Sequence, residues 1–294
     1  MDLHALHVLL EVATEKSFSR AAEKLLRTQP AVSLAVQRLE SELDERLIER
    51  AGRELMPTDA GQIVIDYARR FENLRAELIN ALAELRDRAA GRLVIGANES
   101  TTLYLLPHLS AYRSAFPRIK VQVQRSLSSR VPRQIIDGDL ELGVISFDPD
   151  DHRLVSRVIY TDHLAFVVSP KHRFARRKQV SIAELGKETF VAHNVVSPYR
   201  NVVLREFQRH KVPLHMDVEM PTVESIRRLV QQNEGVAFLP RMCVEQEIEQ
   251  RALAEVRVRE LKVAREIRLV YPGDRQLSHA GSAFLELLAG RPRG

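Results

Sequence analysis

A heptad pattern of apolar residues over positions 60–85 is the feature that most constrains the fold of this 294-residue chain. Spacings of four and three residues alternate for more than three repeats, which predicts one long α-helix with a continuous apolar seam. Thr58 is a suitable N-cap, and a helix over 59–90 would be roughly 45 Å long at 1.5 Å per residue. The seam comprises Ala60, Val64, Tyr67, Phe71, Leu74, Leu78, Ala81 and Leu85.

Such a helix outgrows the 58 residues that precede it, so we expect its seam to pair with a second helix and to form a dimer. Packing of the same face against its own domain is the alternative. The side chains predicted to form the dimer contact are Val64, Tyr67, Phe71, Leu74, Leu78 and Leu85.

The first 58 residues are predicted to form a compact helical unit that ends in a small β-hairpin. Ser19 can cap a second helix, and Thr28 can cap a third, in whose first turn Pro30 is tolerated. The order of helix, helix, short turn and helix is typical of a helix-turn-helix. A turn at 51–53 between two short extended runs predicts a wing after the third helix.

The third predicted helix, within residues 28–43, has two faces of different chemistry. Its apolar face, which requires a core, consists of Val32, Val36, Leu39 and Leu43. The opposite face carries Gln29, Ser33 and Gln37, which are polar, uncharged and spaced four residues apart. Amides and hydroxyls both donate and accept hydrogen bonds, so this face can contact a partner that presents both kinds of group.

From Arg92 onward, short β-rich apolar runs alternate with segments of helical periodicity. Strands that alternate with helices predict parallel sheets covered on both faces. The roughly 200 residues of this pattern suit two α/β lobes with a cleft between them.

The net charge of +5 invites a nucleic-acid interpretation, which depends on where the charges lie. Residues 1–90 contain 13 Lys and Arg against 16 Asp and Glu, whereas residues 91–294 contain 31 against 23. If the first segment binds DNA, a local cationic patch must supply the attraction.

The sequence carries no motif of a common enzyme class. It lacks the G-x-x-x-x-G-K-[ST] phosphate loop, the G-x-G-x-x-G fingerprint, the G-x-S-x-G elbow and the H-E-x-x-H zinc motif. His4 and His7 stand three residues apart, but no acidic or sulfur partner follows at metal-ligand spacing, so surface histidines are the better interpretation. Cys243, the single cysteine, fits a small apolar position in a helix. We therefore expect no enzyme activity, no metal and no cofactor.

Targeting signals and membrane segments are also lacking. No run of about 18 apolar residues occurs, and the amino terminus has neither a cationic region nor a small-residue cleavage site. A single cysteine excludes a disulfide framework and suits a reducing cytoplasm. A small-molecule binding or transport protein with an extra helical head is the rival class, which the missing signal peptide and the helix-turn-helix disfavour.

Hydroxyl-rich segments follow several predicted strands, at 98–102 (NESTT), 126–130 (SLSSR) and 222–225 (TVES). Unpaired N–H groups and hydroxyls at a helix start can bind a carboxylate or a sulfate, although ordinary N-capping is the alternative. Open α/β folds bind ligands at this edge of the sheet. Glu99 is an unfavourable neighbour for an anion, unless Arg130 or His193 offsets it or the ligand carries a positive group.

Residues 18–61, FSRAAEKLLRTQPAVSLAVQRLESELDERLIERAGRELMPTDAG, resemble the amino-terminal signature of LysR-type transcriptional regulators. The matching features follow in order: A-A-x-x-L, T-Q-P-A-V-S, R-L-E, L-x-E-R and M-P-T-D-A-G. Three later segments, LLPHLSAYRSAFPRIKVQV, IIDGDLELGVI and ESIRRLVQQNEGVAFLPR, are similar to the effector domain of the family, so the resemblance spans essentially the whole chain.

The resemblance implies an α/β protein with three parts. These are a winged helix-turn-helix over 1–58, a long linker and dimerisation helix over 59–90, and a two-lobed, periplasmic-binding-protein-like (type 2) effector domain over 91–294. The first lobe would span 91–162 and 267–294, and the second lobe 163–266.

It further implies a cytoplasmic transcriptional regulator that binds interrupted palindromes in double-stranded promoter DNA. Homodimers would assemble into a homotetramer, with RNA polymerase as a further partner and no membrane partner. A small metabolite or an inorganic anion in the cleft would change the shape of the tetramer and so the bend of the DNA.

A helix in the major groove presents one face to the base edges, where Gln suits adenine. We therefore expect Gln29, Ser33 and Gln37 to read bases, although a merely solvated face is the alternative for Ser33 and Gln37. Many family members carry Arg-Gln after Val-Ser, whereas this chain has Leu34 and Ala35, which puts any transfer of a familiar operator sequence in doubt. Arg27, Arg38, Arg50 and Arg53 should contact phosphates, and Leu34 should contact a thymine methyl. The expected DNA contacts are Arg27, Thr28, Gln29, Pro30, Ser33, Leu34, Gln37, Arg38, Arg50 and Arg53.

The resemblance also assigns an effector pocket to the hydroxyl-rich segments and to the loop after residue 192. The expected effector contacts are Asn98, Ser100, Thr101, Thr102, Ser128, Ser129, His193, Asn194 and Thr222. These loops resemble no single effector class closely enough to name a ligand.

Overall fold

The computed structural model describes residues 2–51, 54–87, 91–195 and 197–289. The chain divides into two compact units. The first unit comprises Met1–Gly91 and Arg133–Leu140, and the second comprises Arg92–Pro132 and Glu141–Gly294. Among the described residues, no helix has both the length and the apolar character needed to cross a bilayer.

The first unit contains the predicted winged helix-turn-helix and the predicted long helix. Its elements are α1 (Leu3–Glu15), α2 (Phe18–Lys24), α3 (Gln29–Leu43), β1 (Ile48–Ala51), β2 (Glu54–Pro57) and α4 (Asp59–Arg86). The strands β1 and β2 pair antiparallel and form the wing. The helices enclose a core in which Ala21 and Ala22 are 0 % and 3 % exposed, small enough for close helix crossing.

Two N-caps of this unit differ from the sequence prediction. The prediction that Ser19 caps α2 is wrong, because Phe18 is already helical and the hydroxyl of Ser17 accepts from the amide of Arg20 at 3.4 Å. Thr28 does occupy the N-cap of α3, but its side chain makes no capping hydrogen bond. Thr58 caps α4 as predicted, with its hydroxyl accepting from the amide of Gly61 at 2.9 Å.

Short polar contacts attach the wing to the helices on either side of it. The Glu40 carboxylate accepts from the backbone amides of Leu47 and Ile48 at 2.8 and 3.2 Å. The amide of Thr58 donates to the Leu47 carbonyl at 3.1 Å. Any Cβ at Gly61 would come within 1.9 Å of that same carbonyl oxygen, so the start of α4 requires glycine here.

The helix α4 buries only one side of its first half within its own unit. Gly61, Ile65 and Ala68 are buried, and Ala60 and Val64 of the predicted seam pack beside them. The rest of the predicted seam is exposed, with Tyr67, Phe71, Leu74, Leu78 and Leu85 between 40 % and 83 % accessible. Ile63, Ile79 and Leu82 extend this exposed apolar face, which the seam prediction did not include.

The second unit consists of two α/β lobes. The first lobe contains β3 (Gly91–Ala97), α5 (Glu99–Ala115), β4 (Ile119–Arg125) and β5 (Leu142–Ile145), and the long strand β6 (Leu154–Val168) leads out of it. Between β4 and β5 the chain forms α6 (Val131–Ile136), of which residues 133–136 belong to the first unit. The second lobe contains β7 (Gln179–Val180), α7 (Ile182–Leu185), β8 (Thr189–His193), α8 (Pro198–Arg209), β9 (His215–Met220), α9 (Val223–Gln231) and β10 (Ala237–Pro240). A 3-10 turn (Arg241–Cys243), α10 (Glu245–Glu249), β11 (Ala254–Glu255) and β12 (Arg257–Val258) follow, and β13 (Ala264–Pro272) and α11 (His279–Ala289) return to the first lobe.

The sheets are mixed, so the expected parallel pairing holds for some neighbouring strands and is wrong for others. The strands β3 and β5 pair parallel, as do β8 and β9 and also β7 and β12. The strand β13 pairs antiparallel with both β5 and β6, and β10 pairs antiparallel with β6. The reason is that β6 leads from the first lobe to the second and β13 leads back, so the two strands run in opposite directions side by side.

The strand β6 is unusually long and continues through the apolar runs at 154–160 and 164–168 without a break. Residues 154–163 pair with β13, and residues 164–168 continue into pairing with β10 and β11. This single strand therefore takes part in the structure of both lobes. The lobe boundary that we placed at 162–163 falls inside it.

Each lobe has its own apolar core. The first core lies between the sheet and the helices α5 and α11, and its largest buried members are Tyr112 and Phe284. The second contains a cluster of phenylalanines, in which the rings of Phe190 and Phe238 stack at 5.5 Å. The fold class is therefore the predicted one, an α/β chain with a winged helix-turn-helix and a two-lobed domain.

Candidate functional site

The outer face of α3 is the first candidate site. Val32, Val36 and Leu39 are each 1 % exposed and hold the helix on its core. On the opposite face, Gln29 and Gln37 are exposed and Ser33 is half-buried. Amide and hydroxyl groups are thus presented to solvent at four-residue spacing, in the arrangement expected from the sequence.

An apolar side chain stands beside this polar stripe. Leu34 is 46 % exposed, where a solvent-facing helix position would ordinarily carry a polar residue. Pro30 and Thr28 are exposed at the amino end of the same helix. Together these residues give α3 a face that can accept hydrogen bonds, donate hydrogen bonds and make an apolar contact. These are the interactions by which proteins read base edges in the major groove.

The cationic groups predicted to accompany α3 are at the surface. Arg27, Arg38 and Arg50 are exposed, and within the described part of the chain no carboxylate pairs with any of them. They are therefore available for phosphate contacts. Arg53 lies outside the described residues.

Leu26 is a residue of this surface that the sequence analysis did not identify. It lies in the turn between α2 and α3, is 92 % exposed and has a φ of 53°. The apolar pattern of residues 21–26 gave no indication that this leucine would point away from the core.

The amino end of α5 lies at the second candidate site, the junction of the two lobes. The side-chain oxygen of Asn98 accepts from the amide of Thr101 at 2.9 Å, and the amide of Asn98 donates to the hydroxyl of Thr101 at 3.0 Å. Thr101 is fully buried, and the hydroxyl of Thr102 donates to the Asn98 carbonyl at 2.7 Å. Thr101 therefore caps the helix with its hydroxyl, and the hydroxyl of Thr102 is bonded to the backbone of the same helix start.

Asn98 and Ser100 link this helix start to other elements. The Asn98 amide group donates to the hydroxyl of Ser128 at 2.8 Å, and the hydroxyl of Ser100 donates to the Asn98 side-chain oxygen at 2.9 Å. Ser100 also accepts from the guanidinium of Arg265 at 3.3 Å. The structure thus brings together Asn98, Ser100 and Ser128 of the predicted set.

Arg265 lies at the centre of the junction and is 3 % exposed. It pairs with Asp162 at 2.9 Å, and Asp162 also accepts from the amide of Met242 at 3.2 Å. Burial raises the pKa of the Asp162 carboxyl above its usual range, an effect that backbone hydrogen bonds and the Arg265 charge partly offset. The guanidinium carbon lies 5.0 Å from the centre of the Tyr199 ring, a cation–π contact.

Two further contacts connect the lobes across this junction. The hydroxyl of Tyr199, on α8, donates to the carbonyl of Ser146, just after β5. The carboxylate of Glu99, the first residue of α5, accepts from the amide of Val223 at 3.0 Å, the first residue of α9. Its other oxygen lies 3.7 Å from Nε2 of His193. The lobes are therefore in direct hydrogen-bonded contact.

The remaining predicted effector residues do not enter this network. Ser129 and Asn194 are exposed. The hydroxyl of Thr222 accepts from the amide of Ser225 at 3.2 Å and so acts as the N-cap of α9. Of the two groups expected to offset Glu99, His193 is the one that lies beside it.

The sequence analysis missed Asp162, Arg265 and Tyr199. The sequence contained a signal for Asp162 and Arg265. Each stands two residues from apolar residues of the same strand, so its side chain is expected on the same face of the sheet as theirs. Val263, Arg265 and Ile267 alternate along the strand and all three are buried. An apolar residue would therefore be expected at position 265. Two opposite charges on the buried faces of strands are expected only if they pair.

The structure offers no metal centre in the part of the chain that it describes, since no group of three or more His, Cys, Asp or Glu side chains is suitably arranged. Cys243 is 2 % exposed, and burial raises the pKa of its thiol to about 12. It is therefore a buried thiol without the thiolate character of a nucleophile.

Two family models of bacterial regulators match most of this chain. The model for bacterial regulatory helix-turn-helix proteins of the lysR family covers residues 3–62, and the model for the LysR substrate binding domain covers residues 86–293. The chain belongs to the LysR family. As a LysR regulator it binds DNA, responds to a small-molecule effector and is not an enzyme.

Relatives of similar length support this membership. The probable RuBisCO transcriptional regulator of Chlorokybus atmophyticus is 31 % identical, over 98 % of this chain and 94 % of the relative. That of Cyanophora paradoxa is 30 % identical, over 97 % of this chain and 90 % of the relative.

Solved LysR structures show the same fold at lower identity. CbnR, a LysR family transcriptional regulator, has a TM-score of 0.76 at 18 % identity and covers 98 % of both chains. The regulatory domain of CcmR from Synechocystis PCC6803, solved in complex with 2-PG, has a TM-score of 0.61 at 20 % identity. It covers 67 % of this chain and 96 % of its own.

Proposed function

We propose that this LysR regulator reads its operator with the outer face of α3, and that a small anion at the lobe junction changes its DNA binding. The exposed amides of Gln29 and Gln37 support the first part, because they can donate to and accept from base edges. Arg27, Arg38 and Arg50 are exposed and pair with no carboxylate among the described residues. They support the proposal further, since the first 90 residues are net acidic and need a local cationic patch.

One observation carries the effector proposal, namely the donors that converge on the junction from both lobes. The amide of Val223, Nε2 of His193 and the guanidinium of Arg265 all lie within 4 Å of Glu99 or Ser100. A ligand that accepted from groups of both lobes would stabilise one relative arrangement of the lobes over others. Effector binding at the junction would thereby change the affinity of the protein for DNA.

The donor set suits a small carboxylate or phosphate monoester. Each donor is an N–H group or a hydroxyl, and the helices α5 and α9 both begin at the junction, where their dipoles favour negative charge. The 2-PG bound to the regulatory domain of CcmR belongs to the same ligand class. We therefore propose 2-phosphoglycolate as the first compound to test.

We also propose that α4 forms a dimer through its exposed apolar face, as a first step towards the homotetramer that the family resemblance implies. Tyr67, Phe71, Leu74, Leu78 and Leu85 are exposed although they are large and apolar. A contiguous apolar face of this length is costly in water and is characteristic of a helix–helix contact.

A DNA-binding titration tests the central proposal. Fluorescence anisotropy would compare the promoter region upstream of the gene with a scrambled duplex of equal length and composition, with and without 2-phosphoglycolate. Ionic strength is matched with potassium chloride, because added salt alone weakens phosphate contacts. We expect tighter binding to the promoter by at least about 10³-fold, and a change in affinity or in footprint on adding the anion.

Two results would contradict the proposal separately. Equal affinity for promoter and scrambled duplex would overturn operator reading by α3. Specific binding that small carboxylates and phosphate monoesters leave unchanged at matched ionic strength would overturn the anionic effector and leave DNA recognition standing.

A further inference from the structure

Glu99 occupies a position that an anionic effector would be expected to take. It is the first residue of α5 in the first lobe, yet its carboxylate accepts from the amide of Val223 at the start of α9 in the second lobe. The contact joins residues 124 positions apart in the sequence. The amino end of α9, which favours a negative group, already holds one that the chain itself supplies.

This carboxylate is only half satisfied. Oε1 has the Val223 amide at 3.0 Å, whereas Oε2 is buried and has no hydrogen-bond partner among the described residues. Nε2 of His193 lies 3.7 Å from Oε2, which is beyond hydrogen-bond distance. A buried carboxylate oxygen without a donor is unfavourable, so Glu99 is held less firmly than a fully bonded anion would be.

The histidine is oriented to donate into the same space. Its Nδ1 accepts from the amide of Val195 at 3.0 Å, so in the neutral ring the proton is on Nε2, the atom that faces Glu99. A phosphate or carboxylate at this position could accept from both Val223 and His193, which Glu99 does not do. The site is therefore better matched to a free anion than to its resident side chain.

Only one negative group can take this position, because two carboxylates at contact distance repel each other. We propose that Glu99 is a resident competitor in the effector site, and that a small carboxylate or phosphate binds by displacing it from the amino end of α9. This proposal rests on the proposed anionic effector and specifies how that effector enters its binding site. While Glu99 is bound to Val223 it connects the two lobes, so its displacement also releases one of their contacts.

The proposal is tested on the full chain with Glu99→Gln, which removes the charge, and Glu99→Ala, which removes the carboxylate. Glu286→Gln, an exposed carboxylate on α11, is the matched control. Isothermal titration with inorganic phosphate and with 2-phosphoglycolate at fixed ionic strength measures the affinity. We expect both Glu99 variants to bind each anion about tenfold or more tightly than the wild type, and the control to bind like the wild type.

A second measurement needs no ligand. Hydrogen exchange of the amides at 220–226 reports whether Glu99 protects the start of α9, and we expect faster exchange at Val223 in Glu99→Ala than in the wild type or the control. Unchanged exchange in Glu99→Ala would overturn the proposal, as would equal or weaker anion binding by both Glu99 variants.

These outcomes are distinguishable from failure of the proposed function. If anions bind the Glu99 variants more tightly but promoter affinity never responds to them, then the competition is correct and the effector role of anions is not. If anions alter promoter binding equally in the wild type and in both variants, the effector role is correct and the competition is not.

Discussion

Asp162 and Arg265 lie directly opposite each other in the antiparallel register of β6 and β13, and their side chains pair at 2.9 Å. The two residues are 4 % and 3 % exposed. These residues lie on β6 and β13, the two strands that run between the lobes. The buried ion pair therefore lies where the lobes are connected. Because Arg265 also contacts Ser100 and Tyr199, the pair fixes the guanidinium that both lobes share.

Removing one member of this pair should be much worse than removing both. Asp162→Asn or Arg265→Met leaves one buried charge uncompensated, and we expect each to lower the free energy of unfolding by about 3–5 kcal/mol. The double variant should lose clearly less than the sum of the single losses, because no buried charge remains. Urea unfolding of all four proteins measures the coupling. Additive losses would show that the charges do not depend on each other. Glu54→Gln, in an exposed pair with Lys16, is the control and should change stability little.

The α3 face should discriminate between DNA sequences. We expect Gln29→Ala and Ser33→Ala each to weaken operator binding by about 1–3 kcal/mol and to leave binding to scrambled DNA nearly unchanged, because base contacts carry the sequence information. Arg38→Ala is the contrasting variant. If it contacts a phosphate, it weakens binding to both duplexes alike and lowers the salt dependence. Losses for Gln29→Ala that are equal on both duplexes would place this residue on the DNA backbone instead.

The exposed face of α4 should control the oligomeric state. We expect Phe71→Asp and Leu74→Asp each to reduce the molar mass measured by light scattering, since a charge in an apolar helix contact cannot be solvated. Arg69→Asp introduces the same residue on α4 at an exposed position outside the heptad seam and should leave the mass unchanged. A mass that none of the three substitutions alters would exclude this face as the dimer contact.

Leu26 should be a site where the free protein gains stability. A leucine with a φ of 53° adopts a left-handed conformation that costs about 1 kcal/mol or more, whereas asparagine tolerates it. Because the side chain is 92 % exposed, Leu26→Asn removes no core contact, and we expect it to stabilise the chain by about 1 kcal/mol. Leu34→Asn, an exposed leucine within α3, should instead destabilise by a few tenths of a kcal/mol, roughly the helix-propensity difference. Chemical unfolding of the two variants in the absence of DNA separates these outcomes.

Cys243 should be unreactive while the protein is folded. Burial raises the pKa of its thiol to about 12, against about 8.5 in an unfolded chain. Iodoacetamide at pH 8 should therefore modify Cys243 far more slowly in the native protein than in urea. The raised pKa also gives stability that is complete below the unfolded pKa and is lost as the pH rises towards the folded value. Between pH 8 and 10 the wild type should lose about 1–2 kcal/mol more stability than Cys243→Ala. Equal pH dependence of the two proteins would show that the thiol titrates normally.

Local patterns in the sequence determined much of the first unit. The spacing of Val32, Val36 and Leu39 predicted both that α3 forms and which of its faces is buried, since helical periodicity is a property of neighbouring residues. The heptad seam likewise predicted α4 and its outward face. The wrong prediction that Ser19 caps α2 shows the limit of such local patterns. More than one serine can cap the helix, and packing selects between them.

Only the tertiary structure decided the lobe junction. Periodicity indicates that position 265 faces inward, but not what lies opposite, because that depends on the register of β6 and β13. Asp162 and Arg265 are separated by 103 residues, and Glu99 and Val223 by 124, so no local pattern relates them. The strand pairing and the lobe contacts that bring these groups within 3 Å of each other arise only when the whole second unit folds. For this reason the sequence by itself determined helix α3 and the family, whereas the buried pair and the carboxylate that spans the lobes required the folded chain.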